Sequence, residues 1–473
     1  MIPASAAPQS ETRHATPEQD PGVVDAPESK TRPNLVILNQ YYVPDVASTG
    51  HLLHELAVTL AREGVNVSVL TARPSYGPPE TWQPCPYREE IDRVNIRRMW
   101  TTRFSKDRII GRVLNYVTFT GQLTLRVLLG SSPRKVYLYT TNPPFLGTIG
   151  GIVSLFRRHT YVMLLHDSYP QVAVWVGTIK KGGFVEKLWH RANKLAYRRA
   201  NQTIVLCHAA KKLVCDTYGI DPERVHVIPN WADKKKIHPV PKETTAFAKA
   251  NGLAEPFTAL YSGNLGLYYE FETILAAAEK LKDENFRMVF VGSGGRKPWI
   301  AEQIKARNLA HARMLPYQPF ETLNDSLNAC DANFVTIAKG IEGISFPSKL
   351  YSSLAVGKPI LALSEPHSEL RDIVEKNGVG LWFELGDADG LAKGIRRLMA
   401  NPAEAQQMGQ RARELFERDY TRQVAGLRYA DVFRLADPAA HHAPESRTPE
   451  SPPHQSPAHQ SPAPDSNSRA LSD

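Results

Sequence analysis

The stretch LVILNQYYVPDVASTGHLLHELAVTLAREGVNVSVL, residues 35–70, decides the fold class. LVIL (35–38) is a short apolar, β-branched run of the kind that forms a strand buried on both faces. A loop follows, NQYYVPDVASTGH (39–51). From His51 to Arg62 the residues Leu52, Leu53, Leu56, Ala57 and Leu60 fall on one stripe of a helix, and VSVL (67–70) is the next strand. Strand, helix and strand in that order predict a βαβ unit and a parallel sheet.

The same alternation continues outward. VNIRRM (94–99), VYLYT (136–140), YVMLL (161–165) and TIVL (203–206) read as further strands. After residue 255 the pattern starts again with TALYSG (258–263), a helix from Glu272 to Leu281, RMVFVGSG (287–294), ARMLPY (312–317), ANFVTI (332–337), PILAL (359–363) and VGLWF (379–383). The expected fold class is therefore α/β, with two Rossmann-like, doubly wound parallel-sheet domains over residues 34–240 and 241–403. They join near PNWADKKKIHPVPKE (229–243) and end in a helical segment over 404–436. A length of 473 residues agrees with two such cores. Residues 1–33 and 437–473 are polar and proline-rich, with HQSPA at 454–458 repeated at 459–463, and are expected to be disordered tails.

Four scattered cysteines (Cys85, Cys207, Cys215, Cys330) exclude a disulfide scaffold and show no zinc-site spacing, so a reducing compartment is expected. The first 33 residues lack the apolar core of a secretory signal. The longest largely apolar run, Pro144 to Phe156, is too short for a bilayer crossing, which takes about 20 residues. The net charge of +9 is concentrated in two windows. Residues 101–135 carry Arg103, Lys106, Arg108, Arg112, Arg126, Arg134 and Lys135 against Asp107. Residues 180–212 carry nine basic side chains against Glu186. FVEKLWHRANKLAYRRA (184–200) is a basic amphipathic helix, and RIIGRVLNYVTFTGQLTLRVLLG (108–130) is similar and more apolar. Such helices suit either an anionic membrane surface or packing on their own sheet. Nucleic acid is not an expected partner, because no recognition motif or repeat of stacking aromatics accompanies the charge.

In open α/β sheets, ligands bind beyond the carboxyl ends of the strands. Three loops there are glycine-rich: Gly50 opens the first long helix, YSGNLGLYYEFE (261–272) carries Gly263 and Asn264, and VGSGGRK (291–297) carries three glycines and Arg296. Together they suit a diphosphate, which backbone amides at helix starts hold well. In AKGIEGISFPSKLYSSLAVGKPILAL (338–363), Glu342 precedes a loop, Ser348 starts a helix and Lys349 sits in its first turn. A cation at that end opposes the helix dipole, which points to a bound phosphate as its partner.

YYVPDVASTGHLLHELA (41–57), LLHDSYPQVAVWVG (164–177), VIPNWAD (227–233), YSGNLG (261–266), LPYQPFETL (315–323) and PSKLYSSLAVGKPILA (347–362), in this order and spacing, resemble the retaining glycosyltransferases of family 4. The likeness is to the branch that builds bacterial exopolysaccharide and colanic-acid-type chains. It covers about residues 34–435. It implies the GT-B fold, two facing domains with a cleft between them, and transfer of a hexosyl or N-acetylhexosaminyl group from a nucleotide-sugar donor. By the same resemblance Gly50 lets the diphosphate approach the first domain, and His166 and Asp167 lie beside the acceptor and the anomeric carbon as the catalytic pair. Gly263 and Asn264 form the second-domain phosphate loop, Tyr317 and Gln318 flank the nucleobase, and Ser348 with Lys349 contacts phosphate.

The family's Glu-x7-Glu pair maps to Ile344 and Ser352, with Glu342 two residues early, and its usual Arg and Lys after the second-domain strand map to Asn264 and Tyr269. Lys349 and Arg296 are the cations available to replace that charge. No cofactor and no metal are expected, since no Asp-x-Asp pair is placed to hold one. The expected partners are a nucleotide-sugar donor, a lipid-linked saccharide acceptor and an anionic membrane surface, on the cytoplasmic side of a bacterial inner membrane. Two alternatives stand beside this: a nucleotide-sugar 2-epimerase, which calls for further carboxylates in the cleft, and a catalytically silent binding protein, which Ser352 and Asn264 motivate.

Overall fold

The computed structural model describes residues 34–45, 47–76, 82–104 and 109–437. The expected disordered tails, apart from Asp437, and the basic residues Lys106 and Arg108 lie outside the described residues. The first sheet has eight strands: β1 (Asn34–Leu38), β2 (Asn66–Ala72), β3 (Arg88–Ile91), β4 (Val94–Met99), β5 (Lys135–Tyr139), β6 (Thr160–Leu165), β7 (Gln202–Val205) and β8 (Val225–Val227). The second has six: β9 (Phe257–Ser262), β10 (Phe286–Val291), β11 (Ala312–Leu315), β12 (Ala332–Thr336), β13 (Ile360–Ser364) and β14 (Gly380–Glu384). Their orders are 3-4-2-1-5-6-7-8 and 11-10-9-12-13-14. Every pairing is parallel except β3 with β4, an edge hairpin turning at Asp92 and Arg93, both at positive φ. The two sheets with their covering helices make the GT-B arrangement.

Each sheet has one point where the winding reverses. In the first it falls between β1 and β5, and in the second between β9 and β12. Loops leaving neighbouring strands in opposite directions open a crevice there, so the reversal points fix where a ligand can sit. The motif-bearing loops that follow β1, β9 and β12, and the loop 140–145 after β5, all leave these four strands.

Short apolar strands alternate with amphipathic helices because a parallel sheet must be covered on both faces. Leu35 and Ile37 of β1 face one core with Leu53, Leu56 and Leu60 of the Ser48–Arg62 helix, while Val36 and Leu38 face another with Phe119, Leu123 and Val127. The expected helix start at His51 lies three residues late, because Ala47 is the N-cap and Gly50 and His51 already donate to its carbonyl. Strands β3 and β8 have no counterpart in the sequence reading. REEI is too charged and VHV too short to show as strands.

The helical segment expected over 404–436 is two helices, Pro402–Asp419 and Arg422–Ala436. The break comes where Thr421 caps Val424 N–H at 3.3 Å. The second helix returns to the first sheet, where Tyr429, Val432 and Phe433 join the core of Leu35 and Ile37. Trp231 of the connecting segment meets Tyr429 edge-on and donates to Glu55 at 3.0 Å, and the buried Arg422–Asp233 pair closes at 2.9 Å beside it.

The two basic windows form the helices Ile109–Gly130 and Phe184–Arg199, and their apolar stripes are divided between core and surface. Ala196 and Tyr197 are buried, but Phe184, Val185 and Leu188 are exposed, as are Val113, Val117 and Leu125 on the other helix. No helix among the described residues is long and apolar enough to cross a membrane.

Candidate active site

The second-domain side of the cleft rests on three glycines. Gly263, Gly292 and Gly294 have φ of +128°, +140° and +153°, values that other residues rarely adopt. A Cβ at Gly292 would overlap the Gly263 carbonyl, and one at Gly294 would overlap the Leu265 carbonyl, so the loops after β9 and β10 pack backbone to backbone. Leu265 N–H donates to Ser293 O at 2.8 Å and Arg296 N–H to Leu265 O at 2.9 Å, which fixes their relative position. Asn264 is exposed on this platform.

Beneath Gly263 lies the Lys349 side chain, in the first turn of the Lys349–Ala355 helix. Its Nζ donates to the Tyr261 hydroxyl at 2.6 Å and sits 3.3 Å from the centre of the Tyr269 ring. The Tyr261 hydroxyl in turn donates to Asn264 O at 2.8 Å, so the lysine is tied to the glycine loop. No carboxylate among the described residues pairs with Lys349, and enclosure holds its amine well below the usual lysine range. Tyr269, which stands where the family carries a cation, is thus the face on which Lys349 rests.

Arg296 is not brought to this point. Its guanidinium pairs with Glu272 at 2.5 Å and stacks 4.0 Å from the Trp299 ring. Glu342 is also directed elsewhere: it accepts from Glu369 N–H at 3.0 Å, at the start of the Glu369–Lys376 helix, while its second oxygen is buried without a partner among the described residues. Glu369 itself accepts from His208 N–H at 2.6 Å across the cleft, at the start of the His208–Tyr218 helix. Ser352 Oγ donates to Lys349 O at 3.0 Å within its own helix, and Ser348 is exposed at the helix start. Tyr317 is exposed on the rim, and Gln318 donates to Pro316 O at 3.0 Å. Nearby, Phe320 lies parallel to His51 of the first domain at 6.4 Å.

On the first-domain side, the amide of Gly50 donates to Ala47 O at 2.9 Å, so it is not the bare N–H that the sequence suggested. What glycine provides is space: a Cβ there would press to 3.1 Å on Tyr41 O and Tyr42 Cα. His166 and Asp167 leave β6. Burial holds the His166 imidazole down to about 4, so it is neutral near pH 7, and its Nδ1 has no partner among the described residues. Burial raises the Asp167 carboxyl, with a Ser345 hydrogen bond opposing.

These loops cross to the second domain directly. Asp167 and Ser345 form an antiparallel bridge, Ser168 N–H donates to Ile344 O at 2.8 Å, and Trp175 Nε1 donates to Lys339 O at 3.2 Å. Asp167 also acts electrostatically on Tyr268 and Tyr269, raising both phenols further above their burial shift. Tyr269 therefore links the two sides: Lys349 rests on its ring, and Asp167 acts on its phenol. Sequence reasoning missed Tyr261, Tyr268 and Ser345. Tyr261 read as core in a strand, although a buried phenol needs a hydrogen-bond partner and so signals a polar neighbour. A cavity of about 620 Å³ lined by Arg88, Arg97 and Arg126 lies elsewhere, on the face of β2 and β4, and is not part of this site.

Residues 243–415 match the family of glycosyl transferases group 1, and residues 49–231 match the glycosyl transferase 4-like domain. The chain belongs to the GT-B glycosyltransferases of family 4. The transferase is 25% identical over 404 residues to the probable glycosyltransferase WbjE of Pseudomonas aeruginosa, covering 85% of this chain and 97% of the relative. It is 24% identical over 372 residues to the putative colanic acid biosynthesis glycosyl transferase WcaI of Escherichia coli K12, covering 76% and 91%. Among solved structures, sucrose-phosphate synthase of Thermosynechococcus elongatus shares the fold with a TM-score of 0.67 at 18% identity, covering 85% of this chain and 98% of that one. Anabaena HepE, solved with UDP and glucose, shares it with a TM-score of 0.64 at 16% identity, covering 85% and 99%.

Proposed function

We propose that this transferase moves a hexosyl-type sugar from a nucleoside-diphosphate donor to a lipid-linked saccharide, without a bound metal and with retention at the anomeric carbon, in the assembly of a bacterial surface or exopolysaccharide. The observation that carries the reading is Lys349, a cation with no described carboxylate partner, set under the Gly263 loop and against the Tyr269 ring, on whose phenol Asp167 acts. An enclosed ammonium without a counter-ion is costly unless a ligand supplies the charge. The diphosphate of a nucleotide sugar is such a ligand. Support for the substrate class comes from HepE, whose solved complexes contain UDP and UDP-glucose, and support for the process comes from the colanic acid relative WcaI.

Departure of the nucleoside diphosphate builds negative charge on the leaving oxygen and oxocarbenium character on the sugar. Lys349 stabilises the first, and losing one such donor typically costs about 2.7–4 kcal/mol of barrier. Lysine and amide dipoles there do the work that a divalent cation does in other transferases. Attack on the face from which the diphosphate leaves gives retention and requires no protein nucleophile. His166, neutral near pH 7, orients the acceptor hydroxyl, and Asp167, whose carboxyl burial raises, receives its proton.

The test is a thermal-shift screen against UDP-, GDP- and dTDP-sugars, followed by donor hydrolysis with and without EDTA and by anomeric NMR of the product. A shift with one nucleotide, EDTA-insensitive turnover and an unchanged anomer are expected. A chain that responds to none of the nucleotides is a silent GT-B protein, and the proposal is lost.

A further inference from the structure

Three helices of the first domain, Ile109–Gly130, Leu146–Phe156 and Phe184–Arg199, enclose a groove of about 510 Å³. Its walls are apolar, with Val117, Ile152 and Leu188 each about half exposed to solvent although they sit between packed helices. We infer that this groove holds the hydrocarbon chain of a phosphate-bearing lipid, the acceptor's anchor. The inference rests on the lipid-linked acceptor proposed above and names where that lipid binds.

Four observations converge on it. Gly121 lines the groove in the middle of a helix, where glycine is among the least favourable residues. Packing does not require it, because a Cβ there would meet nothing within 4 Å. Gly150 and Gly151, in contrast, sit where a Cβ would press on Tyr161 or on Ala196. Gly121 thus leaves the groove wall open to solvent at mid-helix, where a chain laid along the groove would pass.

Second, two buried polar atoms in the groove have no partner among the described residues, Thr148 Oγ1 and Trp189 Nε1. Both donate hydrogen bonds, and an oxygen of the phosphate at which a lipid chain begins is a fitting acceptor.

Third, the groove runs to the catalytic loop. Trp189 stacks on Tyr169 at 5.7 Å and 11°, two residues beyond Asp167, and Asn193 of the same helix donates to Tyr169 O at 2.6 Å. Fourth, Lys180 and Lys181, in the segment that leads into this helix, are exposed without an ion pair to any described carboxylate, a positive charge complementary to an anionic headgroup.

The experiment titrates the full chain with farnesyl phosphate while following tryptophan fluorescence, with Trp189→Phe to isolate that residue's signal. Inorganic phosphate, farnesol, and phosphatidylcholine vesicles with and without phosphatidylglycerol serve as separate arms. Saturable binding of farnesyl phosphate is expected, stronger than that of farnesol or phosphate alone. Gly121→Leu, which fills open space and improves helix propensity, should weaken it at least tenfold, and Thr148→Val should weaken it several-fold.

Equal affinity in Gly121→Leu and wild type overturns the inference. So does a response confined to anionic vesicles, which would make the face a membrane-docking surface instead. UDP binding, read by thermal shift on the same samples, separates the two claims. A groove that fails while UDP still binds removes only the lipid site, whereas a chain that binds no nucleotide removes the proposed transfer.

Discussion

Lys349 Nζ donates to the Tyr261 hydroxyl at 2.6 Å, and that hydroxyl donates onward to the Asn264 carbonyl at 2.8 Å. The phenol joins a lone cation to the loop expected to hold phosphate. The cation has tyrosine rings on two sides, Tyr261 at 4.3 Å and Tyr269 at 3.3 Å, which soften the cost of enclosing it without replacing a counter-ion.

Lys349→Met is expected to separate activity from stability. Removing the leaving-group cation should lower kcat by about 10²–10³-fold. Methionine fills similar space without a charge to desolvate, so Tm should stay level or rise. A drop in Tm with little change in kcat would assign the lysine a structural role.

Donor binding should take up a proton. Enclosure holds the free Lys349 amine well below its usual value, and an arriving diphosphate favours the charged form and raises it again. UDP affinity should therefore fall as pH rises through the depressed value toward the ordinary lysine range. Calorimetry in phosphate and Tris buffers should give different apparent enthalpies. Equal enthalpies, or an affinity that grows with pH, would show that the amine keeps one charge state throughout.

Gly292→Ala should damage the phosphate platform. Its φ of +140° alone costs a side-chain-bearing residue on the order of 1–3 kcal/mol, and the Cβ would collide with the Gly263 carbonyl. Lower stability together with a UDP affinity reduced tenfold or more is expected. Gly295→Ala, where a Cβ meets nothing within 4 Å, is the control and should keep both properties near wild type.

Acid should weaken the first domain through His159. Burial holds this imidazole down to about 4, with Ser131 Oγ at 2.9 Å and Tyr139 OH at 3.0 Å on its two nitrogens. Between the unfolded value near 6.5 and about 4, the unfolded chain binds a proton that the native one excludes. Stability is thus complete above that window and falls as pH drops through it, by on the order of 3 kcal/mol. Chemical denaturation at pH 7.5 and pH 5.0 should show the loss, and His159→Gln should show a shallower slope. Identical slopes would mean that His159 does not contribute.

The two βαβ halves and the glycine-bearing loops were legible in the residues alone, because strand burial, helix stripes and turn glycines are written in neighbours a few positions apart. LVIL, VNIRRM and ANFVT are strands within a residue of where periodicity put them. Partnerships of charged groups were not legible, since they are settled by residues far apart in the chain. Only the packed structure sends Arg296 to Glu272, Glu342 to the Glu369 helix, and Lys349 to a pair of phenols with no acid among the described residues. It also returns the last helix to the first sheet and leaves the space at Gly121 empty. Local backbone preference specified the pieces of this transferase. Which charges are neutralised, and which surfaces are left for a ligand, depended on long-range packing that no short window of sequence contains.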